Sequence, residues 1–215
     1  MNLVELIREF RIQSQDTVKP YLWPDEELIK WFSNAEAEAA IRSRLITDET
    51  EILLSSGDTF CDLPCRLFNI DYAELRDASG KAYELKPTDR LELDNLRPGW
   101  RTRSERPVAY IHDDKRLVFG SVIDRDYTLY LSFYRIPKQA MENDCDSPEI
   151  GRVHHIKLID WVLHMAYKKP DADAFNPGKS ADAEAEFTRN FGRRPNADLR
   201  RRQNANRPHR NKVHL

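Results

Sequence analysis

Apolar positions fall first at helical spacing, then in short alternating runs, then at helical spacing again. Over residues 2–13, Leu3, Ile7 and Phe10 share one face with charges between them, which predicts a helix. Residues 14–20 form a polar break. Trp23-Pro24-Asp25-Glu26-Glu27 then reads as a helix start. Proline suits the first helical position because its missing N–H had no partner to lose, and acids in the first turn complement the free N–H groups. The helix it opens is expected over 24–46, with Leu28, Phe32, Ala35 and Ala39 on one stripe. Residues 35–40 mix alanine and glutamate, so the apolar face thins there and another helix could approach closely.

From residue 50 to 137 the period changes to that of strands. Apolar runs at 51–54, 59–61, 66–70, 72–76, 82–85, 108–112, 117–119 and 127–136 alternate with turn residues. Ala78-Ser79-Gly80 and Asp113-Asp114-Lys115 read as hairpin turns. The run starting at Tyr127 is densest in strand formers. Between strands, 86–106 is long and polar and reads as an extended loop or flap around Arg97-Pro98-Gly99-Trp100.

Helical spacing resumes over 149–168, with Val153, Ile156, Ile159, Leu163, Met165 and Ala166 beside Trp161 and Tyr167. Pro170 ends it, 171–177 is a linker, and 179–191 predicts a last helix with Ala183, Phe187 and Phe191, closed by Gly192. From 193 on there are almost no core formers, and that stretch is read as disordered in isolation. The expected fold class is α+β: a helical bundle formed by the N- and C-terminal helices, with an inserted antiparallel, barrel- or sandwich-like β domain and a basic extended C-terminal tail. The divisions are 1–48, 49–140, 141–192 and 193–215. Thin helix pairs at each end cannot easily bury a face alone, so the pairs should meet.

Charge changes this picture at one end. The 215 residues carry a net −2, but residues 193–215 hold eight Lys and Arg against one acid, leaving −9 on the rest. Apolar residues make up 40% and charged residues 33%, against about 45–50% and 25% in ordinary globular domains. The mean hydropathy of −0.71 fits a modest core and much surface that is solvated or awaits a partner. No run approaches the roughly 20 apolar residues a membrane span needs, and the amphipathic, acid-bearing start is unlike an export signal. Cys61, Cys65 and Cys145 cannot all pair, so free thiols in a reducing compartment are expected, with Cys61 partly buried.

Candidate chemistry is sparse. His154, His155 and His164 sit in one predicted helix, and Asp160 with His164 has the i,i+4 spacing of a ligand pair. The plainer reading is histidines of a surface or interface. Cys61 and Cys65 in a C-x3-C spacing would need Cys145, with Asp144 or His154, to make a zinc site. An enzyme would be built on His112, Asp113 and Asp114, although the two acids also suit a hairpin turn. No phosphate loop or nucleophile motif occurs, no cofactor is implied, and no catalytic or metal residue is assigned. The tail residues Arg193, Arg194, Arg200, Arg201, Arg202, Arg207, Arg210 and Lys212 could meet a nucleic-acid backbone, remain solvated, or order on an acidic protein partner. They are interleaved with no aromatic residue for stacking on bases.

Several strings, in their order and spacing, carry a resemblance. They are Tyr21-Leu22-Trp23-Pro24-Asp25-Glu26-Glu27-Leu28, the stretch 35–44, Ile70-Asp71-Tyr72-Ala73-Glu74-Leu75, Pro107-Val108-Ala109-Tyr110-Ile111 and Tyr134-Arg135-Ile136-Pro137. Later come His155 with Leu158 through Tyr167, the 171–177 linker, and Phe187 with Phe191-Gly192. Over about 3–192 the chain resembles the head-to-tail connector (adaptor) proteins of tailed bacteriophages, and its helix–β–helix layout is similar to that of tail tubular protein A.

The resemblance implies a structural virion protein of the neck, assembled in the host cytoplasm. It implies a homo-oligomeric ring, commonly twelve-fold, that docks on the portal protein, joins tail or nozzle proteins and lines the DNA exit channel, with no membrane. The basic tail is the expected portal-docking segment. Trp23, Trp31, Trp161 and Tyr167, on otherwise polar helices, are the expected subunit contacts. The alternative is a nucleic-acid-binding module using the arginine-rich tail.

Overall fold

The computed structural model describes residues 1–171 and 173–195. The chain divides into a helical unit, Met1–Ile46 with Arg135–Arg194, and a β unit that includes Thr47–Tyr134.

In the helical unit, α1 (Leu3–Ser14) opens on a capping box: the Asn2 side chain accepts the Glu5 N–H at 2.9 Å, and the Glu5 carboxylate takes the Asn2 N–H at 3.1 Å. α2 (Asp25–Ser43) starts one residue after Pro24, which is the N-cap, and carries three acids in its first turn. It stops at Ser43, short of the expected 46, because Arg44 turns left-handed at φ 53°. The predicted stripe of Leu28, Phe32, Ala35 and Ala39 is fully buried.

The expected single helix over 149–168 is two elements. A short 3-10 helix, Arg152–Lys157, precedes α4 (Leu158–Lys168). α5 (Pro177–Phe191) is capped by the Asn176 side chain and ends at Gly192, φ 81°. One core runs through α1, α2, α4 and α5, with Leu3, Phe10, Phe32, Val162 and Phe187 all fully buried. Each such side chain contributes about 1.5–3 kcal/mol by leaving water.

The β unit holds two four-stranded sheets. The first has the order β1-β8-β3-β4, from β1 (Thr47–Leu54), β8 (Tyr127–Arg135), β3 (Leu67–Arg76) and β4 (Ala82–Glu84). The second has the order β2-β7-β6-β5, from β2 (Phe60–Asp62), β7 (Arg116–Phe119), β6 (Ala109–His112) and β5 (Lys86–Pro87). The runs at 66–70 and 72–76 join into the single strand β3. β5 pairs with β6 in parallel, so the unit is mixed rather than wholly antiparallel.

Alternation is clean along β8, where Leu129, Leu131 and Phe133 are buried and Thr128, Tyr130 and Ser132 are not. Both sheets feed one core, with Leu75 and Leu129 from the first and Leu117 and Phe119 from the second. The stretch expected to be a flap is instead folded. It contains β5 and α3 (Arg90–Leu96), and Leu93 and Trp100 pack with Ile111 in a small core of their own. Burying Trp100 and Leu93 is what orders a segment whose composition is otherwise polar.

Candidate interaction surfaces

The four aromatic residues expected at subunit contacts fall into different environments. Trp23 is 2% exposed, set edge-on between Phe10 and Tyr167 with ring centroids 5.6 Å from each. Its ring packs within the unit's own core. Trp31, Trp161 and Tyr167 are half-buried against the same core. Trp161 donates its indole N–H to Asn34 Oδ1 at 2.7 Å and packs on His164 and Phe187. Tyr167 lines an open groove of about 450 Å³ between α4 and α5, with Leu163, Ala183, Asp160, Asp182 and Glu186. Lys179 lies over the Tyr167 ring at 5.0 Å. Burial, then the nearby Glu186 charge, raises the pKa of Asp160.

Arg193 and Arg194 follow α5, and Arg194 reaches the Glu38 carboxylate at 3.7 Å. Arg200, Arg201, Arg202, Arg207, Arg210 and Lys212 lie outside the described residues. The root of that segment is held by the last turn of α2. Ser43 Oγ donates to the Phe191 carbonyl at 2.7 Å. Arg42 Nη1 donates to Thr188 Oγ1 at 3.0 Å and to the Gly192 carbonyl at 3.4 Å. Arg42 Nε donates to Glu38 Oε1 at 2.8 Å, and its guanidinium lies 4.9 Å from the Trp161 ring and 5.1 Å from the Phe187 ring.

Two of the three histidines, His155 and His164, are buried, and His154 is half-buried. His155 is 2% exposed, donates from Nε2 to the Ile150 carbonyl at 2.9 Å and turns Nδ1 to the Met1 main chain. His164, also buried, donates from Nδ1 to the Ser180 carbonyl at 3.0 Å, while Ser180 Oγ returns a bond to the His164 carbonyl. Asp160 instead takes a bond from Asn190, so the i,i+4 pair looks to different partners. His155 has partners on both ring nitrogens and His164 on Nδ1, which suits their buried places.

Cys61 is buried, more fully than expected, and burial pushes its thiol up to about 12. Cys65 and Cys145 are exposed. Asp113 and Asp114 sit at the β6–β7 turn, where Asp113 pairs with Arg90 at 2.5 Å. Burial lowers the pKa of His112. Among the described residues no cluster of His, Cys, Asp and Glu is placed to hold a metal ion, and no helix is long and apolar enough to cross a membrane.

A feature not singled out from sequence is the outward face of the β1-β8-β3-β4 sheet. Tyr72 and Tyr130 lie edge to face at 6.5 Å, and Phe68 packs near Tyr134 at 6.4 Å. Arg76 lies over the Tyr130 ring at 4.5 Å, with Glu74 at 2.6 Å and Glu51 at 2.9 Å. The Tyr72 hydroxyl donates to Glu74 at 2.8 Å and the Tyr134 hydroxyl to Asp71 at 3.1 Å. Hydrogen bonds to Glu74 and Glu49 raise the pKa of the Tyr72 and Tyr130 phenols and keep them donors. Period-two alternation could have exposed this face, because Thr128, Tyr130, Ser132 and Tyr134 are the polar phase of β8. Amphipathic aromatic side chains with carboxylates between them suit protein contact.

No curated protein matches the chain. A family model does: the one described as SU10 adaptor protein matches residues 1–211, beyond the 3–192 over which the strings above carry the resemblance. The chain therefore belongs to the SU10 adaptor protein family, structural proteins of the phage head-to-tail junction.

Proposed function

We propose that the protein forms a ring, with twelve copies expected, that docks on the portal through residues 193–215 and joins it to tail proteins. The observation that carries this reading is the family match, which runs through most of the basic segment. The four-part organisation drawn from the sequence belongs to the same proposal: a helical body from both chain ends, an inserted β region, and a basic tail.

Trp31, Trp161 and Tyr167 are the subunit-facing aromatics in this reading, and the tyrosine–carboxylate sheet face is the tail-facing surface. An acidic body suits a channel through which DNA must slide, because net attraction to phosphate would retard passage. The arginines of the tail suit carboxylates on a protein partner, onto which each guanidinium can fork. The role is assembly rather than catalysis, and it needs no cofactor.

The test is the mass of the complex formed with the portal protein of the same virus, with and without residues 193–215. A discrete complex adding one copy per portal subunit, lost on tail deletion, is expected. No complex in either form, with tight and steeply salt-dependent DNA binding by the full chain, would replace this reading with the nucleic-acid module.

A further inference from the structure

A helix end leaves its last carbonyls without intrahelical partners, and water normally takes them. At the end of α5 two of them, those of Phe191 and Gly192, are taken by another helix. Ser43 caps the Phe191 carbonyl, and Arg42 reaches both Thr188 and the Gly192 carbonyl. Arg42 is itself fixed, because Glu38 holds its Nε, Trp161 and Phe187 lie beside its guanidinium, and its side chain is only 5% exposed. The other oxygen of Glu38 reaches past the cap to Arg194.

A buried ion pair contributes little net stability, since desolvation offsets its Coulomb attraction, and its best-attested use is to select one arrangement among several. The arrangement selected here is the exit of the chain from α5.

We propose that Glu38, Arg42 and Ser43 are positioning residues for the C-terminal segment, fixing where and in which direction residues 193–215 leave the helical unit. The purpose rests on the portal-docking reading; the geometry does not. A tail launched from a fixed root loses less freedom when it binds, so its affinity is higher than that of the same segment on a loose root.

The test uses the full chain with its three cysteines replaced and spin labels introduced by Arg8→Cys and Asn196→Cys. The inter-label distance distribution is expected to widen about twofold in Ser43→Ala and in Arg42→Lys, and to narrow again in Ser43→Thr, which restores the hydroxyl. Portal capture is expected to weaken about 3–10-fold in Ser43→Ala and recover in Ser43→Thr. Unchanged widths in both Ser43→Ala and Arg42→Lys overturn the inference. Portal capture indifferent to deletion of 193–215 overturns the docking reading instead, and leaves the label distances to decide the clamp.

Discussion

The helical unit buries charge and the β unit exposes it. Of the ten buried polar or charged residues among those described, eight lie in the helical unit, including Arg11, Glu36, Glu38, His155 and His164. Among the described residues the β unit buries only Glu74 and Ser121, and sets Glu51, Asp71 and Arg76 on its outer sheet face. The difference follows from how register is set. In the β unit period-two alternation fixes it along the strands, helped by short turns in the β3–β4 and β6–β7 hairpins. The helical unit joins two segments far apart in sequence, and a stripe of leucine and alanine can slide. Directional polar contacts across the join, such as Glu36 accepting the N–H groups of Glu149 and Ile150, choose one alignment.

The strongest way to break this contrast is to remove a buried charge and an exposed one and compare. Arg11 pairs with Asp16 at 2.7 Å and with Asp25, donates to the Trp23 carbonyl at 3.1 Å and lies over Tyr21. Arg11→Met leaves Asp16 buried without its cation and is expected to cost about 3–5 kcal/mol in denaturant unfolding. Arg76→Met, on the open sheet face, is expected to cost under about 1 kcal/mol. Equal losses would remove the distinction.

Next in size is a core truncation read by a thiol. Leu129→Ala empties part of the β core at about 2–5 kcal/mol. In the native chain an alkylating reagent should modify Cys65 and Cys145 rapidly and Cys61 slowly, because Cys61 is buried with its thiol pushed up to about 12. Leu129→Ala should speed Cys61 modification, and Arg11→Met should not. Mass spectrometry of the adducts separates the two results.

A smaller effect concerns pH. Burial lifts Glu36 from an ordinary value near 4.5 to about 7. Between those values the folded chain holds a proton that the unfolded chain has released, so stability falls as pH rises through the window and stays low above it. Glu36→Gln keeps an acceptor for the Glu149 and Ile150 N–H groups and should flatten that slope. The expected gain above pH 7 is on the order of 1 kcal/mol, seen by unfolding parent and variant at pH 5 and pH 8. The smallest change is in the β3–β4 turn, where Gly80 has φ 81°. Gly80→Ala should cost about 1 kcal/mol, with no effect on the helical unit.

Much of the fold was legible because local pattern and tertiary burial agree. The stripe of α2, the hairpin turns at Gly80 and Asp113, and the alternation of β8 needed nothing from distant residues. The helix α3 was missed because it is short and its surroundings are polar; Asp89, whose side chain caps Glu92 N–H at 2.7 Å, was the available signal. The split before α4 was hidden because a 3-10 turn and an α-helix share nearly the same apolar spacing. The roles of His155, His164 and Trp23 depend on partners brought from other elements. Glu38, Arg42 and Ser43 read only as polar positions on a thin helix, because what they hold lies about 150 residues away.

The discontinuity of the helical unit also orders events on the ribosome. Every described strand of the β unit is present in the nascent chain before the segment that completes the helical core has been made. Leu3, Phe10, Leu28 and Phe32 meanwhile lack Val162 and Phe187, for roughly 7–40 s at ordinary translation speeds. The alanine–glutamate stretch of α2 keeps the apolar surface shown during that wait small. A face that looks too thin for a helix in a finished core is thus well suited to a helix that must stay soluble until its partners are synthesised.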